Sequence, residues 1–185
     1  TLRPELQAIA RDQLGQRDGS VVALDPRTGA VLALWSYPSY DPNALSSHDF
    51  EAVRAARAFL APDNPDSPLR ISAYEDRYFP GSTFKVVTAS TGVETGRVTP
   101  EEPSYPVETS YTPPQTTRPL SNFGGSSCGG TLFVILAESC NTAFARMGVE
   151  TLGPDPSVAG AESWGFNDAP PLDLPSAVER VENAV

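Results

Sequence analysis

The chain contains one lysine, and it follows a serine by three residues in Pro80-Gly81-Ser82-Thr83-Phe84-Lys85; the other twelve cationic side chains are arginines. Arginine stays protonated in proteins, whereas lysine loses its proton when desolvated. Residues i and i+3 share a helix face, so Ser82 Oγ and Lys85 Nζ can meet. Pro80-Gly81 reads as a helix entrance and puts Ser82 at the helix N-terminus. The positive end of the helix dipole there lowers the lysine pKa and favours a developing alkoxide. The pattern is that of a serine nucleophile with an amine base beside it. A serine at that offset also arises by chance, so a second element is needed. Ser139-Cys140-Asn141 supplies one. Alone it is uninformative, since Asn141 reads equally as a helix N-cap and Ser139 as a turn residue. Paired with the first, and with an apolar helical segment after each, it carries weight.

The elements that must position these groups are legible in outline. Residues Glu5 to Gln16 read as an amphipathic helix, with Leu6, Ile9, Ala10 and Leu14 on one side. Val21 to Leu24 and Val31 to Ser36 are apolar, β-branched-rich runs. Asp25-Pro26-Arg27-Thr28-Gly29 between them makes a hairpin turn. Phe50 to Leu60 reads as a helix, followed by a proline-rich loop. Ser82 to Glu94 is the helix of the nucleophile. Residues Thr99 to Pro119 are too rich in proline for a regular helix and read as a surface loop, with the wall of a substrate cleft as the alternative. Gly124 to Gly130 reads as a flexible approach. Thr131 reads as the cap of a short apolar helix, Leu132 to Ala137. Ser139 falls in a break before a helix from Asn141 to Leu152. The tail from Gly153 reads as loops with helical scraps.

Length and composition narrow the function classes. At 185 residues, 39% hydrophobic and 19% charged, the chain is of single-domain size. A net charge of −10 opposes binding to nucleic acid, whose phosphates it would repel. No apolar run approaches a membrane span. His48, the sole histidine, lies in a polar stretch and reads as solvated, and no ligand cluster points to a metal or other cofactor.

S-x-x-K and S-x-N are two of the three signatures, with K-T-G, of penicillin-binding proteins and serine β-lactamases. The chain resembles the transpeptidase domain of class B penicillin-binding proteins, nearest the actinobacterial penicillin-binding protein A type. Val21 to Leu34 carry the resemblance, with Pro38-Ser39-Tyr40-Asp41-Pro42-Asn43, Phe79 to Lys85 and Ser139 to Phe144. These blocks span residues 1 to about 150 in family order. No Lys-Thr-Gly or Lys-Ser-Gly occurs.

The resemblance implies an α+β fold of the serine β-lactamase/transpeptidase type: an antiparallel sheet, with strands 1 and 2 within 20–36, and an all-helical part over about 50–185. It implies a C-terminus that stops before the third motif. It also implies an acyl-serine D,D-transpeptidase of peptidoglycan, without cofactor. In that reading Ser82 is the nucleophile and Lys85 the base. Ser139 is a hydroxyl relay, and Asn141 holds both Lys85 and a substrate carbonyl. The expected partners are peptidoglycan stem peptides, β-lactams, a membrane glycosyltransferase and division or elongation proteins. The expected location is outside the cytoplasm, on an N-terminal anchor upstream of Thr1. The alternatives are a D,D-carboxypeptidase or β-lactamase on the same fold, or a noncatalytic scaffold or sensor. A disulfide between Cys128 and Cys140 is expected, since the two cysteines flank one short helix beside the site; two separate thiols are the alternative. Residues 1–185 alone are expected to fold poorly and acylate slowly, with a hairpin edge uncovered and one oxyanion donor lacking.

Overall fold

The computed structural model describes residues 2–61, 63, 64, 66–168 and 172. The chain divides into two units, Thr1–Tyr78 and Phe79–Val185.

The first unit is built on a hairpin. Helix α1 (Pro4–Leu14) starts with proline, which suits the first turn because no intrahelical donor is needed there, and carries Glu5 in its first turn. Strands β1 (Gly19–Leu24) and β2 (Val31–Tyr37) pair antiparallel with Val21 opposite Trp35 and Ala23 opposite Ala33. The turn closes as its residues dictate. Asp25 Oδ1 accepts from the Arg27 N–H at 2.9 Å, and the Gly29 N–H donates to Asp25 O at 2.8 Å. The outer edge of β2 is blunted by α1. Gln7 accepts from the Leu34 N–H (2.9 Å) and donates to its carbonyl (2.5 Å), so one side chain takes the place of a neighbouring strand. Helix α2 (Phe50–Phe59) is capped by Asp49, which accepts from the Glu51 and Ala52 amides. A short helix α3 (Ser72–Glu75) docks on the hairpin through the Ala73 N–H to Ser36 Oγ, at 3.0 Å.

The second unit holds the residues singled out for chemistry. A 3-10 turn, Gly81–Thr83, runs into helix α4 (Phe84–Glu94), so Ser82 lies in the turn that leads the helix. Gly81 has φ 54°, a left-handed conformation that a side chain would strain. The proline-rich stretch after α4 is not merely a loop. Strands β3 (Tyr105–Glu108) and β4 (Ser110–Tyr111) pair with segments further on. The partner of β4 is β5 (Leu120–Ser121), and that of β3 is β6 (Cys128–Gly130). Residues 128–130, expected as part of a flexible approach, are therefore tied into a sheet. Helix α5 (Leu132–Ala137) begins after Thr131, whose backbone is extended as at an N-cap but whose side chain makes no capping bond. Helix α6 (Asn141–Arg146) continues into a π-helical turn, Met147–Leu152, where one regular helix was expected. Helix α7 (Pro154–Ser163) is a regular element in what read as scraps. The tail beyond residue 168, Leu172 excepted, lies outside the described residues. Ile135, Met147 and Val98, each at most 1% exposed, centre the core beneath α4 to α6.

Helices α4 and α7 meet through a glycine. A Cβ on Gly160 would lie 2.0 Å from Thr91 Oγ1 and 2.8 Å from its Cβ, and Thr91 is buried. Gly160→Ala should therefore push the helices apart and cost about 2 kcal/mol. Gly148 borders an apolar hollow lined by Phe84, Val87, Phe144 and Leu152, with nothing within 4 Å of its would-be Cβ. Gly148→Ala should stabilise by about 0.5 kcal/mol. Urea midpoints that fall for the first and do not fall for the second would agree; the reverse order would refute this packing.

Candidate active site

The lysine is held in a ring of oxygens. Lys85 Nζ lies 3.3 Å from Ser82 Oγ, 2.9 Å from Ser139 Oγ, 2.5 Å from the Ser139 carbonyl and 2.5 Å from Asn141 Oδ1. Ser139 Oγ is in turn 3.1 Å from Ser82 Oγ. Ser82, Lys85, Ser139 and Asn141 thus meet in one cluster, although 54 and 56 residues separate Lys85 from Ser139 and Asn141. The first pair meets because residues three apart stack on one face. The second pair arrives from the break between α5 and α6.

Counting hydrogens shows what this ring can do. An ammonium has three donors and meets four oxygens, so the 3.3 Å contact to Ser82 is the weakest served. A neutral amine keeps its two N–H groups on the carbonyls of Ser139 and Asn141, both at 2.5 Å, and turns its lone pair to the hydroxyls. The geometry therefore suits a proton acceptor for serine. Burial lowers the Lys85 pKa from the ordinary lysine value, because desolvation penalises the charged form. Among the described residues no carboxylate forms an ion pair with Lys85 that would offset this. The Phe144 ring lies 5.8 Å from Nζ.

Ser139 adopts φ 53°, the left-handed region that is costly for residues with a Cβ. That conformation aims both its carbonyl and its hydroxyl at Lys85. Ser139→Gly should lose the hydroxyl and relieve the backbone, whereas Ser139→Ala loses the hydroxyl and keeps the strain. The glycine variant should be the more stable by about 1 kcal/mol, with both impaired in any reaction that uses the hydroxyl. Equal melting temperatures would show that the strain is not there.

Cys128 and Cys140 are joined by a disulfide with a Cα–Cα distance of 5.8 Å, linking β6 to the residue between Ser139 and Asn141. A second brace is ionic. Arg146 in the last turn of α6 pairs with Glu108 of β3 at 2.8 Å and with Glu150 at 2.7 Å, and stacks 4.3 Å from the Tyr111 ring. Hydrogen bonding to Glu108 pushes its pKa further up and holds it charged. Reasoning from sequence did not find this network, nor Ser121 and Asn122, which contact the start of α6; single polar residues in a Gly/Ser-rich loop carry no pattern. Phe144 was visible as the last residue of the block that carries the family resemblance, without a role of its own. Among the described residues no three His, Cys, Asp or Glu side chains gather to hold a metal, and no helix is long and apolar enough to cross a membrane.

Comparison with known proteins gives a consistent result. The family model of the penicillin binding protein transpeptidase domain matches residues 19–183. The chain is 43% identical over 189 residues to the peptidoglycan D,D-transpeptidase PbpA of Mycolicibacterium smegmatis, covering 96% of this chain and 37% of that protein. It is 40% identical to PbpA of Mycobacterium tuberculosis, with the same coverage. The imipenem acyl-enzyme complex of M. tuberculosis penicillin-binding protein A superposes with a TM-score of 0.83 at 38% identity, over 92% of this chain and 40% of that one. Pseudomonas aeruginosa PBP2 superposes with a TM-score of 0.76 at 32% identity, over 90% and 35%. The chain thus spans 37% of the length of the curated relatives named here.

Proposed function

This chain belongs to the penicillin-binding protein transpeptidase family, and from that premise we propose that it carries the nucleophile and base of a peptidoglycan D,D-transpeptidase. The observation that supports this is the contact of Lys85 Nζ with both Ser82 Oγ and Ser139 Oγ, at 3.3 and 2.9 Å. Neutral Lys85 takes the Ser82 proton, directly or through Ser139. Ser82 Oγ attacks the carbonyl carbon of the penultimate D-Ala of a stem peptide, and the Ser82 backbone N–H is one oxyanion donor. The tetrahedral adduct collapses with cleavage of the C–N bond. The leaving D-Ala amine takes its proton from Lys85 through Ser139. The neutral amine of a neighbouring strand then attacks the acyl-Ser82 ester and gives a proton to Lys85, which passes it to Ser82 Oγ as the ester C–O bond breaks, so that Ser82 and neutral Lys85 are restored. Asn141 holds Lys85 through Oδ1 and, by resemblance, a substrate carbonyl.

β-Lactams would acylate Ser82 in the same way; their ring nitrogen stays tethered after the C–N bond opens. The corresponding setting is outside the cytoplasm on a membrane anchor, beside a glycosyltransferase and division or elongation proteins. Intact-mass analysis after incubation with penicillin, followed by peptide mapping, tests the reading. The adduct should map to Ser82 and persist, because the tethered nitrogen keeps the place an acceptor would take. An adduct elsewhere, or none, would overturn the reading; rapid release of the adduct by water would point to a hydrolase on the same fold.

The pH dependence follows from the lowered Lys85 pKa. Only the neutral amine accepts the proton. The acylation rate should therefore rise about tenfold per pH unit below that pKa and level off before the ordinary lysine range. A stopped-flow pH profile checks this, and a rate that falls as pH rises would contradict it.

A further inference from the structure

Resting on the reading just given, we propose that Asn122 is a positioning residue of the site: its buried side-chain amide caps α6 from another segment and so holds Asn141 against Lys85. The residue that should cap α6 fails to do so. Cys140, at the N-cap, makes no side-chain capping bond, and its sulfur is committed to the disulfide. A helix start leaves its first amides without partners. Asn122 Oδ1 fills that role for Thr142, accepting its N–H at 3.0 Å. The Asn122 amide nitrogen donates to the carbonyls of Glu108 (2.8 Å) and Ser126 (3.0 Å), so both its donors and its acceptor are used. Asn122 is 5% exposed.

The neighbouring residue fixes the other half of the arrangement. The Ser121 carbonyl accepts from Asn141 Nδ2 at 3.0 Å. With Nδ2 so occupied, Oδ1 is the atom that faces Lys85, at 2.5 Å. Two consecutive residues therefore set where α6 begins and which way the Asn141 amide points. Glu108 links both ends of α6. Its carbonyl accepts from Asn122, while its carboxylate pairs with Arg146 in the last turn. Loss of Asn122 frees the start of α6 and leaves its end held.

Isotope-labelled lysine makes the test direct, because the side-chain resonance of Lys85 is identified by its loss in Lys85→Arg. Its titration midpoint is read by NMR in the unsubstituted protein, in Asn122→Ala and Asn122→Asp, and in Gly160→Ala. The last is destabilised at a distance from the site. Penicillin acylation is followed in parallel. Asn122→Ala removes the cap and should raise the midpoint towards that of ordinary lysine, as the loosened helix start lets water in, and slow acylation about tenfold or more. Asn122→Asp keeps an oxygen for the Thr142 N–H but loses both donors to Glu108 and Ser126, and should do so too, but less. Gly160→Ala should leave the midpoint in place. Unchanged midpoints in folded Asn122 variants, or an equal shift in Gly160→Ala, would overturn the proposal. If neither variant folds, the unsubstituted protein is examined in sub-denaturing urea. Exchange protection of the Thr142 amide should then be lost together with the shift in the Lys85 midpoint, and independent changes would overturn the proposal. Absence of acylation in the unsubstituted protein would count against the transpeptidase reading alone, since the lysine titration does not depend on it.

Discussion

Lys85→Arg is expected to lower the rate of Ser82 acylation by penicillin about a thousandfold, although it preserves charge and much of the side-chain length. A positioned general base contributes between about a hundredfold and ten thousandfold. Arginine removes that contribution because its guanidinium does not deprotonate in the accessible pH range. The ring of oxygens around Nζ would still be satisfied, since guanidinium donates to carbonyls as well as ammonium does. The fold should therefore survive and the chemistry fail. Ser82→Ala should abolish the adduct altogether, as no attacking oxygen remains, at little cost in stability because Ser82 is exposed. The two variants should differ in pH response. Lys85→Arg should show a residual rate without the lysine limb, and Ser82→Ala no rate at any pH. Intact-protein mass spectrometry over a time course checks both. Normal acylation of either variant would remove the assignment of nucleophile and base.

Replacing both Cys128 and Cys140 by serine is expected to destabilise the protein by about 3 kcal/mol, the usual effect of opening a short cross-linked loop. The cysteines are 12 residues apart. For a chain of this size the loss corresponds to a fall in melting temperature of roughly 6–12 °C. The effect should also reach the site, because Cys140 separates Ser139 from Asn141 and is itself fully buried. With the bridge gone, the left-handed turn at Ser139 loses its covalent tie to β6 and keeps its flanking helices, its bonds to Lys85 and the Asn122 cap on Thr142. Acylation should slow even at temperatures where the variant is fully folded. Thermal unfolding by circular dichroism and a thiol count under denaturing, non-reducing conditions test this. Two free thiols in the unsubstituted protein, or an unchanged melting temperature in the variant, would refute it.

Much of the site was legible because it is local. Pro80 to Lys85 fix, within one turn, that a serine and a lysine share a face, and this follows from helix geometry alone. The hairpin was legible for the same reason: two apolar runs and a Pro- and Gly-bearing turn leave one pairing open to them. Family resemblance then extended the reading to Ser139 and Asn141, which no local rule would have attached to Lys85.

Tertiary structure decided the rest. The contact of Asn141 with Lys85 joins segments 56 residues apart, and nothing in the periodicity of either segment specifies it. Strands β3 to β6 are two to four residues long, with proline in β3, so no alternating pattern marks them. They exist because backbone groups brought together by the fold must find partners. Asn122 is the clearest case. In sequence it is one asparagine in a loop, and its role depends on Thr142, Glu108 and Ser126, which meet around it only once the chain is folded. The amino-acid sequence by itself determined which atoms can react, because reactivity belongs to residue type and short spacing. Only the folded chain decided which amide and hydroxyl stand beside the lysine and what holds them there, because those contacts depend on packing between segments far apart in the chain.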